Sequence, residues 1–387
     1  MKKKSQNKKY FFNFLLFLFS FFMTDFITTD IFNRLIGQKE TVIKKTESYG
    51  IKHDKFHHHL KENISIEEEF NGQKYTVKTN SLGFRDKEIK NINYENIGKR
   101  LVLIGDSFTF GVILNYEDTF AGIIDNQLSQ YEGSNEWEVL NLGVSSYSPV
   151  IYYNKIKYFL EKGLKFTHLA VFIDISDVED ESIFYYYETN SESVQSLQPI
   201  TTVQSVRSLT KSKLVLYFKN NFFITYNIFN YLDDGILVLR KRIKEYKKSE
   251  EKYLKNIHSN LFKRDKWTID QNIYNEYQVG IDNSLKYLKL LKLLCDKHNI
   301  KMYIAVYPWS TQLYYKDLES IQVKIWKEFS QENNVEFINL FPLFLDRNDD
   351  KEDINKKIKK YYIPFDVHFN KEGNKIIADY FLKVFNK

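Results

Sequence analysis

Apolar residues gather in five short runs along the chain, at 100–105, 137–141, 168–173, 302–307 and 335–340. Each run is rich in Val, Ile, Leu or Phe and is bounded by polar residues, the pattern of a strand buried on both faces. Helical spacing follows the first two runs, at 117–128 and 150–162, and returns near the end of the chain at 375–385. Strands and helices alternating in this way predict an α/β fold, a parallel sheet with helices packed on its two faces. Residues 28–99 are polar and mixed, and they close with a short strand and turn at 77–86 that leads into the main fold, 100–387.

Two stretches fall outside this alternation. The interval 178–300 separates the third and fourth runs and is far too long for one crossover, so a mostly helical insertion is predicted there. Within it, 214–232 is apolar but carries Lys219, Asn220, Asn221, Asn227 and Asn230, which suits a buried amphipathic helix. The lysines and arginines at 240–248 stand beside Glu245, Glu250 and Glu251, the spacing of a solvated helix face laced with ion pairs. The other stretch, 10–27, is apolar except for Asn13, Ser20, Thr24 and Asp25. As a helix it would reach about 27 Å, close to the thickness of a hydrocarbon core. A basic flank, 1–9, precedes it, and no small-residue cleavage site follows. That combination predicts an uncleaved single-pass transmembrane anchor, with the membrane as a partner and the remainder of the chain outside the cytoplasm, periplasmic or at the cell surface.

The net charge of +6 owes five of its positive charges to Lys2, Lys3, Lys4, Lys8 and Lys9, so the rest of the chain is nearly balanced. No electrostatic footprint for nucleic acid remains. A single cysteine, Cys295, excludes an internal disulfide framework and a Cys-based zinc site.

The chemistry concentrates at two places. The first strand ends in Gly105-Asp106-Ser107. Ligands of open parallel sheets bind beyond the carboxyl ends of strands, and a serine there can expose its hydroxyl at a helix start. Asp and Ser are also favoured helix caps, so this segment alone fits either role. Near the far end, Asp366 and His368 lie two residues apart, just before a predicted helix. A serine nucleophile needs a base to take its proton, and the base needs a carboxylate to hold its tautomer. All three residue types are present.

In this order and placement the chain resembles the SGNH, or GDSL-like, hydrolase superfamily over most of residues 76–387, the insertion excepted. Gly105-Asp106-Ser107 is similar to that family's first block, with Ser107 in the nucleophile position. Asn141-Leu142-Gly143 is similar to the second, and Asp366 with His368 to the fifth. The resemblance implies a three-layer sandwich with a five-stranded parallel sheet of flavodoxin-like order. It implies a Ser107–His368–Asp366 triad, and an oxyanion hole from Ser107, Gly143 and Ser176. It also implies a serine esterase or O-acyltransferase without a cofactor or metal, acting on an acylated small molecule or carbohydrate. The sequence departs from the family pattern twice. Ser176 stands where an oxyanion asparagine would fall, and the acid precedes the histidine by two residues where many members have three. The first departure leaves open a catalytically impaired member that binds a glycan or a protein partner.

Asp106, Asp177 and Trp309 are candidates for the substrate rim, Trp309 either stacking on a sugar or simply packing. His53, Asp54 and His57-His58-His59 lack the helical spacing of a metal site, and the acidic run from Asp174 to Glu181 lacks the glycine of a calcium loop.

Overall fold

The computed structural model describes residues 12–13, 16–17, 19–28, 49–70, 73–95, 98–129, 137–188, 192–196, 264–364 and 366–386. The chain divides into two compact units, one of residues 1–46 with 199–253, the other of residues 47–198 with 254–387. In the first, residues 12–13, 16–17 and 19–28 are helical. Among the described residues no helix is long and apolar enough to cross a membrane. The anchor expected at 10–27 falls partly outside them, and the 214–232 helix and the basic run at 240–248 lie wholly outside them.

In the second unit five strands form one wholly parallel sheet: β1 (Lys99–Gly105), β2 (Trp137–Asn141), β3 (His168–Ile173), β4 (Lys301–Val306) and β5 (Glu336–Asn339). Their spatial order is β5-β4-β3-β1-β2, the flavodoxin-like arrangement. Residues 101–104 and 169–173 are fully buried, as a sheet covered on both faces requires. The chain leaves β1 toward β2 on one side and leaves β3 toward β4 on the other. The carboxyl ends of β1 and β3 are therefore the switch point at which a crevice opens.

Helices cover the sheet. A single turn, α1 (Ser107–Phe110), follows β1 directly and precedes α2 (Phe120–Ser129); α3 (Pro149–Glu161) follows β2, and α4 (Gln278–Lys297) leads into β4. Beyond β4 come α5 (Ile321–Glu332), α6 (Lys351–Tyr361) and α7 (Lys371–Phe385). Helices α2 and α7 pack together, with Phe120 and Phe381 both against Phe172 of β3. Helices α3 and α4 form the other packed pair. Right-handed crossovers that run in opposite directions place these two pairs on opposite faces.

The insertion is shorter at its carboxyl end than its expected limits of 178–300, because α4 is itself the sheet-covering helix of the β3 to β4 crossover. The described part also contains a hairpin, Tyr185–Glu188 with Ser193–Ser196, rather than helix alone. Two more hairpins precede the sheet, Gly50–His53 with His57–Leu60 and Ser65–Phe70 with Gln73–Lys78. The segment after them does more than lead into the fold. Arg85 is buried, donates to the carbonyls of Phe110, Gly111 and Leu114, and lies 4.5 Å from the Phe110 ring centroid. It holds the loop that carries Ser107.

Candidate active site

Ser107 is the first residue of α1. Its helix is capped by Asp106, whose side chain accepts from the Phe108 amide at 2.9 Å, and it ends at Gly111 in the left-handed conformation. As a first-turn residue, Ser107 has an amide with no intrahelical acceptor. Its hydroxyl lies 2.8 Å from Nε2 of His368. The ring's other nitrogen, Nδ1, meets the Asp366 carboxylate. With Nδ1 protonated toward Asp366, Nε2 is left to accept the Ser107 proton.

The two-residue spacing between acid and base works because the loop folds back on itself. Asp366 Oδ1 accepts the backbone N–H of His368 at 2.9 Å as well as the ring, the geometry of an Asx turn. The loop is pinned by the Ile363 amide donating to the His368 carbonyl at 2.9 Å and by the Tyr362–Phe369 bridge. Asn370 then caps α7. Burial alone would push the Asp366 carboxyl up, but the His368 ring and the amides of His368 and Val367 outweigh it and hold Asp366 below the usual carboxylate range.

Beneath Ser107 lie three buried carboxylates, Asp106, Asp174 and Asp177, with one oxygen of each within 4.8 Å of the others. They are bonded inward. Asp106 Oδ2 lies 3.1 Å from the Ser107 hydroxyl oxygen, and its Oδ1 accepts from the Tyr307 hydroxyl (3.2 Å). Asp174 accepts from the Ser176 amide (2.8 Å) and hydroxyl (2.5 Å) and from the Trp309 indole (2.6 Å). Asp177 accepts from Tyr152 (2.8 Å). Burial, then the charge of Asp174, lifts Asp106 well above the ordinary carboxylate range. Burial, then Asp106 and Asp174, does the same to Asp177. Protonated carboxyls at these positions relieve the crowding of negative charge.

The sequence-based site residues divide accordingly. Ser107, His368 and Asp366 come together. Asp106, Asp177 and Trp309 do not line a rim: Trp309 is 4% exposed with its indole committed to Asp174, and the two acids are buried under the nucleophile. Apolar neighbours on both sides of the strand ends bury them, which leaves no ring face for a sugar. Ser176 is buried and its hydroxyl points to Asp174. The Gly143 amide donates to Asn141 Oδ1 at 3.0 Å. A Cβ on Gly143 would stand 2.7 Å from Thr109 Cβ and from the Phe110 nitrogen, so this glycine lets β2 approach α1 closely.

Past Gly143 the Val144 amide donates to the Gly105 carbonyl at 3.3 Å, and 145–146 then form a turn closed by the Tyr147 amide on the Val144 carbonyl at 3.2 Å. Ser146 is exposed and takes φ of 62°. Sequence reasoning missed it, although two serines after a strand end are a turn signal. It also missed Arg85 and Lys155. Lys155 is fully buried, donates to the Leu142 carbonyl (2.9 Å) and the Tyr147 hydroxyl (3.1 Å), and lies over the Tyr147 ring at 4.7 Å. Burial drives its ammonium well below the ordinary lysine range. The histidines on Gly50–His53 and His57–Leu60 serve as anchors: His59 bonds the Leu82 carbonyl and His58 the Ser145 carbonyl.

No protein-family model matches the chain, and no curated protein is similar to it. Among solved structures it is similar to Axe2, an acetylxylan esterase from Geobacillus stearothermophilus, at 13% identity over 76% of this chain and 97% of that one, with a TM-score of 0.38. It is also similar to a member of the lipolytic protein G-D-S-L family from Veillonella parvula, at 12% identity over 75% of this chain and all of that one, with a TM-score of 0.39.

Proposed function

We propose that this chain is a serine esterase or O-acyltransferase whose nucleophile is Ser107. The connected path from Ser107 through His368 to Asp366 is the observation that carries this reading. Ser107 Oγ attacks the ester carbonyl while His368 Nε2 takes its proton. The tetrahedral intermediate collapses, and His368 returns that proton to the departing alkoxide, leaving an acyl-serine. Water or a sugar hydroxyl then attacks the acyl carbon, giving its proton to His368 and finally to Ser107. Water as acceptor gives hydrolysis and a sugar hydroxyl gives transfer.

The oxyanion needs donors that are not already committed. The Ser107 amide is one, and the Ser146 amide, in the turn that follows the Val144 bond to the Gly105 carbonyl, is the second in this reading. This assignment takes the place of Gly143 and Ser176, whose hydrogens are engaged elsewhere. The recess against Ser107, lined by Phe108, Gly111, Val112, His368, Phe369 and Asn374, holds about 10 Å³, room for about one water; a short acyl group such as acetyl is the one this reading assigns. An acylated extracytoplasmic carbohydrate as substrate, reached by a chain held at the membrane through residues 10–27, completes the proposal.

A binding role without catalysis would be favoured by a serine out of reach of its base, and 2.8 Å is within reach. Mass spectrometry of the full chain after brief exposure to p-nitrophenyl acetate tests the reading: a single acetyl group on Ser107, absent in His368→Ala, is expected. An unmodified Ser107 together with no turnover would move the assignment to binding.

A further inference from the structure

We infer that His58 is a positioning residue for this acyl transfer, aiming the Ser146 amide at the oxyanion by donating to the carbonyl of Ser145. The inference rests on the reading of Ser107 as nucleophile and deepens it. A peptide unit is planar, with its C=O and N–H pointing in opposite directions, so whatever holds the oxygen of Ser145 also fixes the direction of the Ser146 N–H. His58 Nε2 lies 2.9 Å from that oxygen. Neighbouring carbonyls of the same turn are held from other elements: Leu142 by Lys155 of α3 at 2.9 Å, and Ser146 by the Tyr185 hydroxyl at 2.7 Å. With these carbonyls bonded to His58, Lys155 and Tyr185, the turn holds Ser146 at a positive φ, a state that a residue with a side chain keeps only when its surroundings impose it.

The tautomer of His58 is set by its neighbour. A ring whose Nε2 bonds a carbonyl carries its hydrogen there, which leaves Nδ1 as an acceptor. His57 Nδ1 stands 2.8 Å away and supplies the matching N–H. The ring also meets the Tyr147 ring edge to face at 4.8 Å, and the Tyr147 hydroxyl donates to the backbone carbonyl of His58 at 2.6 Å. That last bond uses the backbone, so it survives replacement of the His58 side chain.

The test compares His58→Phe, which keeps a ring without a donor, with His58→Gln, whose amide nitrogen can occupy the place of Nε2. The readout is kcat and KM for p-nitrophenyl acetate with the full chain, alongside a thermal melt and the Ser107→Ala control. A badly aimed oxyanion donor should lower kcat of the Phe variant by about tenfold or more, KM staying within about twofold, while Gln stays within about threefold of wild type. A Phe variant as fast as wild type overturns the inference. So does an equal loss in Phe and Gln that tracks lost folded protein, which assigns His58 a structural role. Should Ser107→Ala match wild type, the nucleophile reading itself fails and the inference falls with it; that result differs from an active, Ser107-dependent enzyme indifferent to His58.

Discussion

Replacing Asp106 by asparagine and by alanine separates its two jobs. Its Oδ1 accepts the Phe108 amide and the Tyr307 hydroxyl, and its Oδ2 faces the Ser107 hydroxyl. Alanine removes a helix cap, a loss of about 1 kcal/mol, and leaves the buried Tyr307 hydroxyl without its acceptor, a further loss of about 1–3 kcal/mol. Relief of repulsion from Asp174 offsets part of this, so urea unfolding should show Asp106→Ala destabilised by about 2–3 kcal/mol. Asparagine keeps the Oδ1 acceptor and resembles the protonated carboxyl that burial and Asp174 favour. Near pH 4, where the wild-type carboxyl is protonated, its stability should stay within about 1 kcal/mol of wild type, since Asn caps as well as Asp. The sign with pH is set by the same shift: a folded-state pKa above the unfolded value gives a contribution fully present at low pH and lost as pH rises. Asp106→Asn should therefore gain on wild type as pH rises above about 4. Turnover of p-nitrophenyl acetate should fall less than tenfold in Asp106→Asn. A hundredfold fall in a folded Asn variant would refute the reasoning, because it would mean that Ser107 needs a charged Asp106.

Three further outcomes are expected. Asp366→Asn should fold normally yet lose about 10³- to 10⁴-fold in kcat, because the amide no longer fixes the His368 tautomer; steady-state kinetics checks this, with the Ser107 to His368 contact unchanged. Gly143→Ala should cost about 1–3 kcal/mol in unfolding free energy, from the clash of its Cβ with Thr109 and the Phe110 backbone; a neutral effect would show that β2 and α1 are not in such close contact. His58 sits at about 4, lowered first by burial and raised in part by its bond to Ser145, against 6.5 when unfolded. Its contribution is full above pH 6.5 and lost as pH falls toward 4, so wild type should lose up to about 3 kcal/mol more stability than His58→Gln over that range, read from denaturant midpoints.

The sheet was legible in the sequence because its strands are buried on both faces: the runs at 137–141 and 168–173 coincide with β2 and β3, and the other three agree within a residue or so. The acid and base were legible because Asp366 and His368 share one short loop. What composition and spacing could not reveal was commitment of hydrogens. Whether the Gly143 N–H points at a ligand or at Asn141 depends on a side-chain rotamer, and the hydroxyl of Ser176 turned inward only because Asp174 lies next to it in space. Asp106, Asp177 and Trp309 were placed at the right strand ends but on the wrong side of the surface, since polarity suggests exposure and these groups are buried against one another. The roles of Arg85, Lys155 and His58 depend on contacts with residues distant in sequence, beyond what local patterning records.

Hydrolysis of p-nitrophenyl acetate by wild type and by Ser107→Ala at equal concentrations of folded protein tests the central claim most directly. The account predicts a measurable wild-type rate and a loss of up to about a millionfold, to background, in the variant. Equal rates, whether both at background or both above it, would contradict the assignment of Ser107 as the nucleophile.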